Sequence, residues 1–308
     1  MIWLSGRQFR APAITGALGV AIFAAAMLVI GLRIRAADDP AGYQSLVYAL
    51  DALVVVAPAL LGLFWGAPLI ARELETGTAA LVWTQSVTRR RWLAVKLAVA
   101  GVAALIVGGL ASLALGWAAA PLDRVNQDRF TTIFFGTRGP VLAAYAVFAV
   151  VLGVTLGLLL RRTLPAMALT AATFVVVQVL MPNLVRPHLM PPRAASAPVT
   201  AAVIRNLTFL GQEPTIEGLK IPGAWVTASS DLRTANDQEV AREKYAACVN
   251  GSFDGMPDCL GRLNLHVDIA YQPADRYWTF QWLESAVYLA LAALLAAIAG
   301  IRVIRVTV

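Results

Sequence analysis

The stretch RELETGTAALVWTQSVTRRRWLAVK, Arg72 to Lys96, decides how the rest of this chain is read. It is charged, rich in helix-start residues, and lies between two long apolar runs. A helix needs about 20 apolar residues to cross a bilayer, and the runs on both sides reach that length. The stretch is therefore read as a tight loop, residues 71–92, at a membrane face. Its five basic residues, Arg72, Arg89, Arg90, Arg91 and Lys96, predict the cytoplasmic face, because translocation selects against Lys and Arg in short loops.

Within the loop, Glu73 and Glu75 precede Gly77 and Thr78, and a compact apolar group, Ala79 to Trp83, follows. Thr78 is placed to cap a short helix, with the two carboxylates near its positive end. Thr88 is placed to cap a second helix that opens on three arginines and runs into the membrane. The expected product is a small helix lying along the membrane face that offers Leu81 and Trp83 to something soluble.

The order Arg-Glu-x-Glu-x-Gly-Thr, a short apolar helix, Thr-Arg, then Lys at the next span resembles the cytoplasmic loop of ABC exporter permeases of the second class, particularly actinobacterial members. The matching positions are Glu73, Glu75, Gly77, Thr78, Arg89 and Lys96. Ser86 stands where that family often has Pro, a departure that bears on the local turn. The aromatic run YWTFQWLE, Tyr277 to Glu284, is also similar to the family's approach to its last span.

The resemblance implies a six-span permease subunit that is not itself an enzyme. Glu73, Glu75, Gly77, Thr78, Leu81, Trp83 and Arg89 would form its coupling helix for a separate cytoplasmic ABC ATPase. That partner would bind the ATP and Mg2+, leaving no cofactor in this chain, and would drive a substrate outward across a bacterial plasma membrane. A second permease chain, identical or homologous, would complete the pore within the surrounding lipid.

Composition sets the class independently of any likeness. A hydrophobic share of 59% with 14% charged residues is far from the soluble balance of about half apolar and a quarter charged. The expected fold class is an all-α polytopic membrane protein of six transmembrane helices, with an N-terminal interfacial helix and a small mixed extracellular segment between helices five and six.

Residues 1–11, with Trp3, Leu4, Phe9, Arg7 and Arg10, suit an interfacial helix. Residues 12–185 hold the first five spans, at about 12–32, 46–70, 93–120, 140–160 and 164–185; residues 279–308 hold the sixth and a short cytoplasmic tail. The first apolar run is longer than the roughly 7–15 residues of a signal-peptide core, so it is read as a span. Gly62-x-x-x-Gly66 and Gly153-x-x-x-Gly157 allow close helix approach and are read as packing. Pro58 and Pro68 predict a kink in the second span.

Charge tests this arrangement. The inner segments carry eleven basic residues against two acids, whereas the long outer segment 186–276 carries nine against ten. The net charge of +7 thus concentrates on one face. Nothing resembles the aromatic-interleaved basic patch that binds nucleic acid, and both termini are expected in the cytoplasm.

Residues 186–278 are expected to form the extracellular lid. A proline cluster opens it, residues 236–247 read as a helix, and Leu263 to Tyr271 alternates as a strand with one buried face. Cys248 and Cys259, the only cysteines, both lie here. A disulfide is the expectation outside the cytoplasm; a metal site combining them with His266 is the alternative. The sequons at Asn206 and Asn250 are read as chance.

Asp51 and Glu284 fall within spans near their outer ends, and Gln178 within the fifth. Intramembrane polar groups raise a functional reading, so the three are candidates for a substrate path. The competing reading gives the acids wet interfacial positions or partners such as Arg33 and Arg35.

No G-x-x-x-x-G-K-[ST] occurs, so the chain carries no P-loop, and no H-E-x-x-H marks a metalloprotease. His188 and His266 lie outside the spans, which disfavours an intramembrane serine protease. The alternatives to an exporter subunit are a secondary transporter, which needs more polar residues deep in the spans, and a non-transport sensor whose extracellular lid binds a ligand.

Overall fold

The computed structural model describes residues 10–78, 88–205, 209–210, 216–217, 221, 223–250 and 255–305. The expected interfacial helix 1–11 lies almost wholly outside them. Among the described residues, six helical stretches are long and apolar enough to cross a membrane, and the protein is an all-α polytopic membrane protein. The chain divides into two compact units: a helical one of residues 1–126, 131–186 and 278–308, and a smaller one of 127–130 and 187–277.

The helical unit begins with α1 (Arg10–Ala36). The second span is composite: α2 (Gln44–Leu61), a π turn over Gly62–Gly66, and α3 (Ala67–Glu75). Pro58 cannot donate a backbone hydrogen bond, and the ladder widens one turn beyond it; Pro68 sits in the first turn of α3, where it is tolerated. Then come α4 (Arg89–Asn126), the short α5 (Thr132–Thr137), α6 (Val141–Leu160) and α7 (Thr163–Leu180) with a terminal π turn, Met181–Val185. The last span is α11 (Tyr277–Arg302).

Several boundaries differ from the sequence reading. The first two spans, read to about residues 32 and 70, stay helical to Ala36 and Glu75. Residues 121–138 read as a loop, but α4 continues through Pro121 to Asn126, and α5 follows.

The central post is α6, buried along most of its length against the second, third and fifth spans. Its glycines explain the close approach. A Cβ at Gly66 would meet the Val150 Cα at 3.1 Å, and one at Gly153 would meet the Ala67 backbone nitrogen at 2.7 Å. At Gly157 it would meet the Ala67 carbonyl oxygen at 2.6 Å. The two Gly-x-x-x-Gly pairs therefore face one another as a single backbone-to-backbone interface.

Gly153→Ala is accordingly expected to destabilise the protein by about 2–3 kcal/mol through overpacking. Gly109→Ala, where an added Cβ meets nothing within 4 Å, is expected to leave the unfolding midpoint of the detergent-solubilised protein unchanged.

α1 rests mainly on α4. The Trp65 ring occupies the space beside Gly16, and the Trp117 ring the space beside Gly31. Between these two rings an apolar cavity of about 790 Å³ remains, lined chiefly by alanine and leucine.

The smaller unit holds a three-stranded antiparallel sheet ordered β1 (Arg193–Val199), β5 (Leu265–Gln272), β4 (Trp225–Ser229). A two-residue pair, β2 (Phe209–Leu210) and β3 (Ile216–Glu217), stands apart. Three short helices complete it: α8 (Ala201–Arg205), α9 (Arg242–Val249) and α10 (Met256–Gly261). Leu265, Val267 and Ile269 form the buried row of β5 and pack with Val199, Leu232, Tyr245 and Leu260. The helix read at 236–247 is shorter and later, because residues 234–238 close a turn instead. A disulfide joins Cys248 of α9 to Cys259 of α10. Those sulfurs are therefore not ligands for a metal shared with His266.

Candidate functional site

The sequence points to the turn after α3. There Thr76 ends the helix and Gly77 follows with φ +73°, a left-handed conformation that glycine adopts without strain. The Thr76 N–H donates to the Arg72 carbonyl at 3.0 Å and the Gly77 N–H to that of Leu74 at 3.3 Å. Thr76 Oγ1 also donates to the Arg72 carbonyl at 2.8 Å, and Thr78 Oγ1 to that of Glu73 at 3.3 Å. The turn thus closes on its own side chains. Leu81 and Trp83 lie outside the described residues, as does the helix expected around them. At the far side Thr88 caps α4: its Oγ1 accepts the Arg91 N–H at 3.4 Å, and its carbonyl accepts the Trp92 N–H at 3.0 Å.

The flanks of this turn are tied into four of the six spans. Glu73 forms an ion pair with Lys96 of α4 at 2.5 Å, and Lys96 Nζ also donates to the Leu69 carbonyl at 3.2 Å. The ammonium stands 4.8 Å from the Trp92 ring centroid, within cation–π range. Glu75 accepts from both the Thr163 N–H (3.0 Å) and its Oγ1 (2.6 Å), placing a carboxylate at the first turn of α7. Arg89 Nη1 donates to the Ile304 carbonyl at 3.2 Å, just beyond α11. The flanks of the turn thus contact α3, α4, α7 and the end of α11.

Lys96 reads in the sequence as an orientation signal, yet in the structure only 4% of it is exposed. The signal that would have found its role is a lysine two turns inside an apolar helix, which demands a partner, with Glu73 and Glu75 the only acids assigned to that face.

At the other end of the helical unit two buried ion-pair clusters stand. Asp51, fully buried, accepts from Arg138 Nη1 and Nη2 at 3.1 Å each and from the Thr137 hydroxyl. Arg138 also approaches Asp123 through Nε at 2.9 Å, an ion-pair distance whose angle falls outside hydrogen-bond geometry. Glu284, likewise buried, accepts from Arg186 Nε at 2.6 Å and Nη2 at 3.1 Å, and from the Tyr145 hydroxyl. The Arg186 guanidinium stacks 3.9 Å from the Phe135 ring centroid.

These partners correct the expectation of Arg33 or Arg35 as counter-ions. Arg35 instead donates to the carbonyls of Gly31 and Trp117 and stacks on the Trp117 ring.

Gln178 and Glu284 belong to one chain of interactions. The Tyr288 hydroxyl donates to Gln178, the Tyr288 and Tyr145 rings lie 4.4 Å apart, and the Tyr145 hydroxyl donates to Glu284. A cavity of about 430 Å³ opens beside this chain, walled by Val55, Ile133 and Phe174, with Thr132, Tyr145, Gln178 and Arg186 as its polar lining. Asp51 does not line it. Gln281, unremarked in the sequence, donates to the Phe135 carbonyl at 2.8 Å and accepts the Val141 N–H at 3.3 Å, fixing α11 against the start of α6.

No curated protein and no solved structure matches this chain. Residues 35–186, from the end of α1 to Arg186, match the family described as ABC-2 membrane transporter related, to which this stretch of the chain is therefore similar.

Proposed function

We propose that this chain is the membrane-spanning subunit of an ATP-driven exporter, powered by a separate cytoplasmic ATPase and completed by a second permease chain. The observation that carries the reading is the convergence of four spans on the flanks of the turn at 72–91, within the region that matches the transporter family. A soluble motor pressing on that turn moves α3, α4, α7 and the end of α11 as one lever.

The substrate path runs beside Gln178, in the cavity whose apolar walls and few polar groups fit an apolar or amphipathic cargo. Asp51 and Glu284 frame the outer end of this path rather than line it. The smaller unit is the extracellular segment between the fifth and sixth spans. Each of these two acids is held by an arginine, which argues against the free carboxylate relay of a secondary transporter.

Purification of the tagged chain from its native membranes under mild detergent is expected to bring down a nucleotide-binding subunit that hydrolyses ATP. Recovery of intact, folded chain with no such subunit overturns the reading.

A further inference from the structure

His266 and Asp268 stand two residues apart on β5, so both project from the face opposite the buried row. The segment 230–239 runs back alongside them and is clipped at both residues. Arg233 and His266 exchange backbone hydrogen bonds of 2.9 and 2.8 Å. The Ser230 N–H donates to the Asp268 carbonyl at 2.8 Å, and the Asp268 N–H donates to Ser230 Oγ at 3.0 Å.

Between the clips, the Asp237 N–H donates to the Thr234 carbonyl and the Thr234 N–H to that of Gln238, both at 2.9 Å. This turn brings an Asp237 carboxylate oxygen to 3.3 Å from His266 Nε2. One ligand atom from each of Asp237, His266 and Asp268 lies within 4.8 Å of the other two.

We propose that Asp237, His266 and Asp268 form a binding site for a divalent transition-metal cation of the zinc class. Bonds of about 2.0–2.2 Å to a tetrahedral ion place neighbouring donors about 3.4 Å apart, which is the edge that His266 and Asp237 already make. A rotamer change of the exposed Asp268 closes the third edge, and water takes the fourth position. The imidazole sets the class, since calcium and magnesium take oxygen ligands whereas zinc, copper and nickel accept nitrogen.

The backbone clips hold two of the three ligand residues in register, so little ordering accompanies binding. Arg233 is a further charged group at the site, its Nη1 3.4 Å from Asp237 Oδ1, and competes for that oxygen. The bound ion ties the turn 234–238 to the central strand of the sheet.

The test is calorimetric titration of the full-length chain with zinc chloride, in detergent and non-reducing buffer, using an affinity tag free of histidine. Wild type is expected to bind one zinc ion per chain with micromolar or tighter affinity. His266→Gln and Asp268→Asn are each expected to weaken binding at least tenfold. Arg233→Gln, which removes the competing cation, is expected to tighten it about threefold, a direction that misfolding cannot produce. No zinc binding by wild type, wild-type affinity in His266→Gln, weakened binding in Arg233→Gln, or displacement of zinc by millimolar calcium each overturns the site.

Discussion

Replacing Arg186 with methionine is expected to destabilise the protein by about 3–5 kcal/mol, the cost of stranding one partner of a buried ion pair. Arg186 is 2% exposed and Glu284 fully buried, and the arginine supplies two of the three hydrogen bonds on the carboxylate. The variant leaves the buried Glu284 with the Tyr145 hydroxyl alone. The variant also removes the link between the end of α7 and α11.

The double variant Arg186→Met/Glu284→Gln is therefore expected to regain most of the loss, because the amide is neutral and still accepts from Tyr145. Denaturant unfolding in a fixed detergent reads the whole cycle. Equal stability of the single and double variants would remove the ion pair from the account. The exposed pair Arg205–Asp258 gives the contrast, with side chains 59% and 55% exposed. Arg205→Ala there is expected to cost under about 1 kcal/mol.

The spans were legible because bilayer thickness writes itself into the chain as apolar run length, and β5 was legible because a one-sided sheet imposes a period of two. Partner choice was not. Asp51 and Arg138 are 87 residues apart, and nothing local distinguishes Arg138 from Arg33 or Arg35 as the cation that meets Asp51. Tertiary placement by α5 decides it, since Thr137 and Arg138 leave that helix side by side.

The same limit hid the membership of residues 127–130 in the smaller unit. Phe130 stacks on Trp225 at 6.0 Å and meets Tyr277 edge-on at 5.5 Å, while the Gln127 carbonyl accepts the Gly223 N–H at 2.9 Å. Each of those interactions joins sequence-distant residues across a stretch with no periodicity of its own. Helix ends erred for a simpler reason: α4 tolerates Pro121 at the loss of one backbone hydrogen bond, so a proline that reads as a stop was none.

On the proposed function, Gly77→Pro is expected to reduce outward transport to background while the chain still inserts and folds. Proline holds φ near −65° and has no N–H, whereas Gly77 sits at φ +73° and donates to Leu74. The reversal at the end of α3 cannot form, so the chain leaves the membrane face in a different direction. An added Cβ at Gly77 meets nothing within 4 Å, so the change is confined to the turn. The Glu73–Lys96 and Glu75–Thr163 links stand one step back from it and persist. Gly77→Ala, which carries only the left-handed penalty of about 1–2 kcal/mol on a turn that can still form, is expected to transport at an intermediate rate. Trp83→Asp, which puts a charge into the apolar stretch Ala79 to Trp83 that the sequence reads as the coupling helix, is expected to match Gly77→Pro. Efflux from cells carrying each variant together with the ATPase, normalised to chain in the membrane, measures the series. Undiminished export in both Gly77→Pro and Trp83→Asp would mean that force enters the spans elsewhere, and the four-span convergence around Arg72 to Arg91 would then be scaffolding alone.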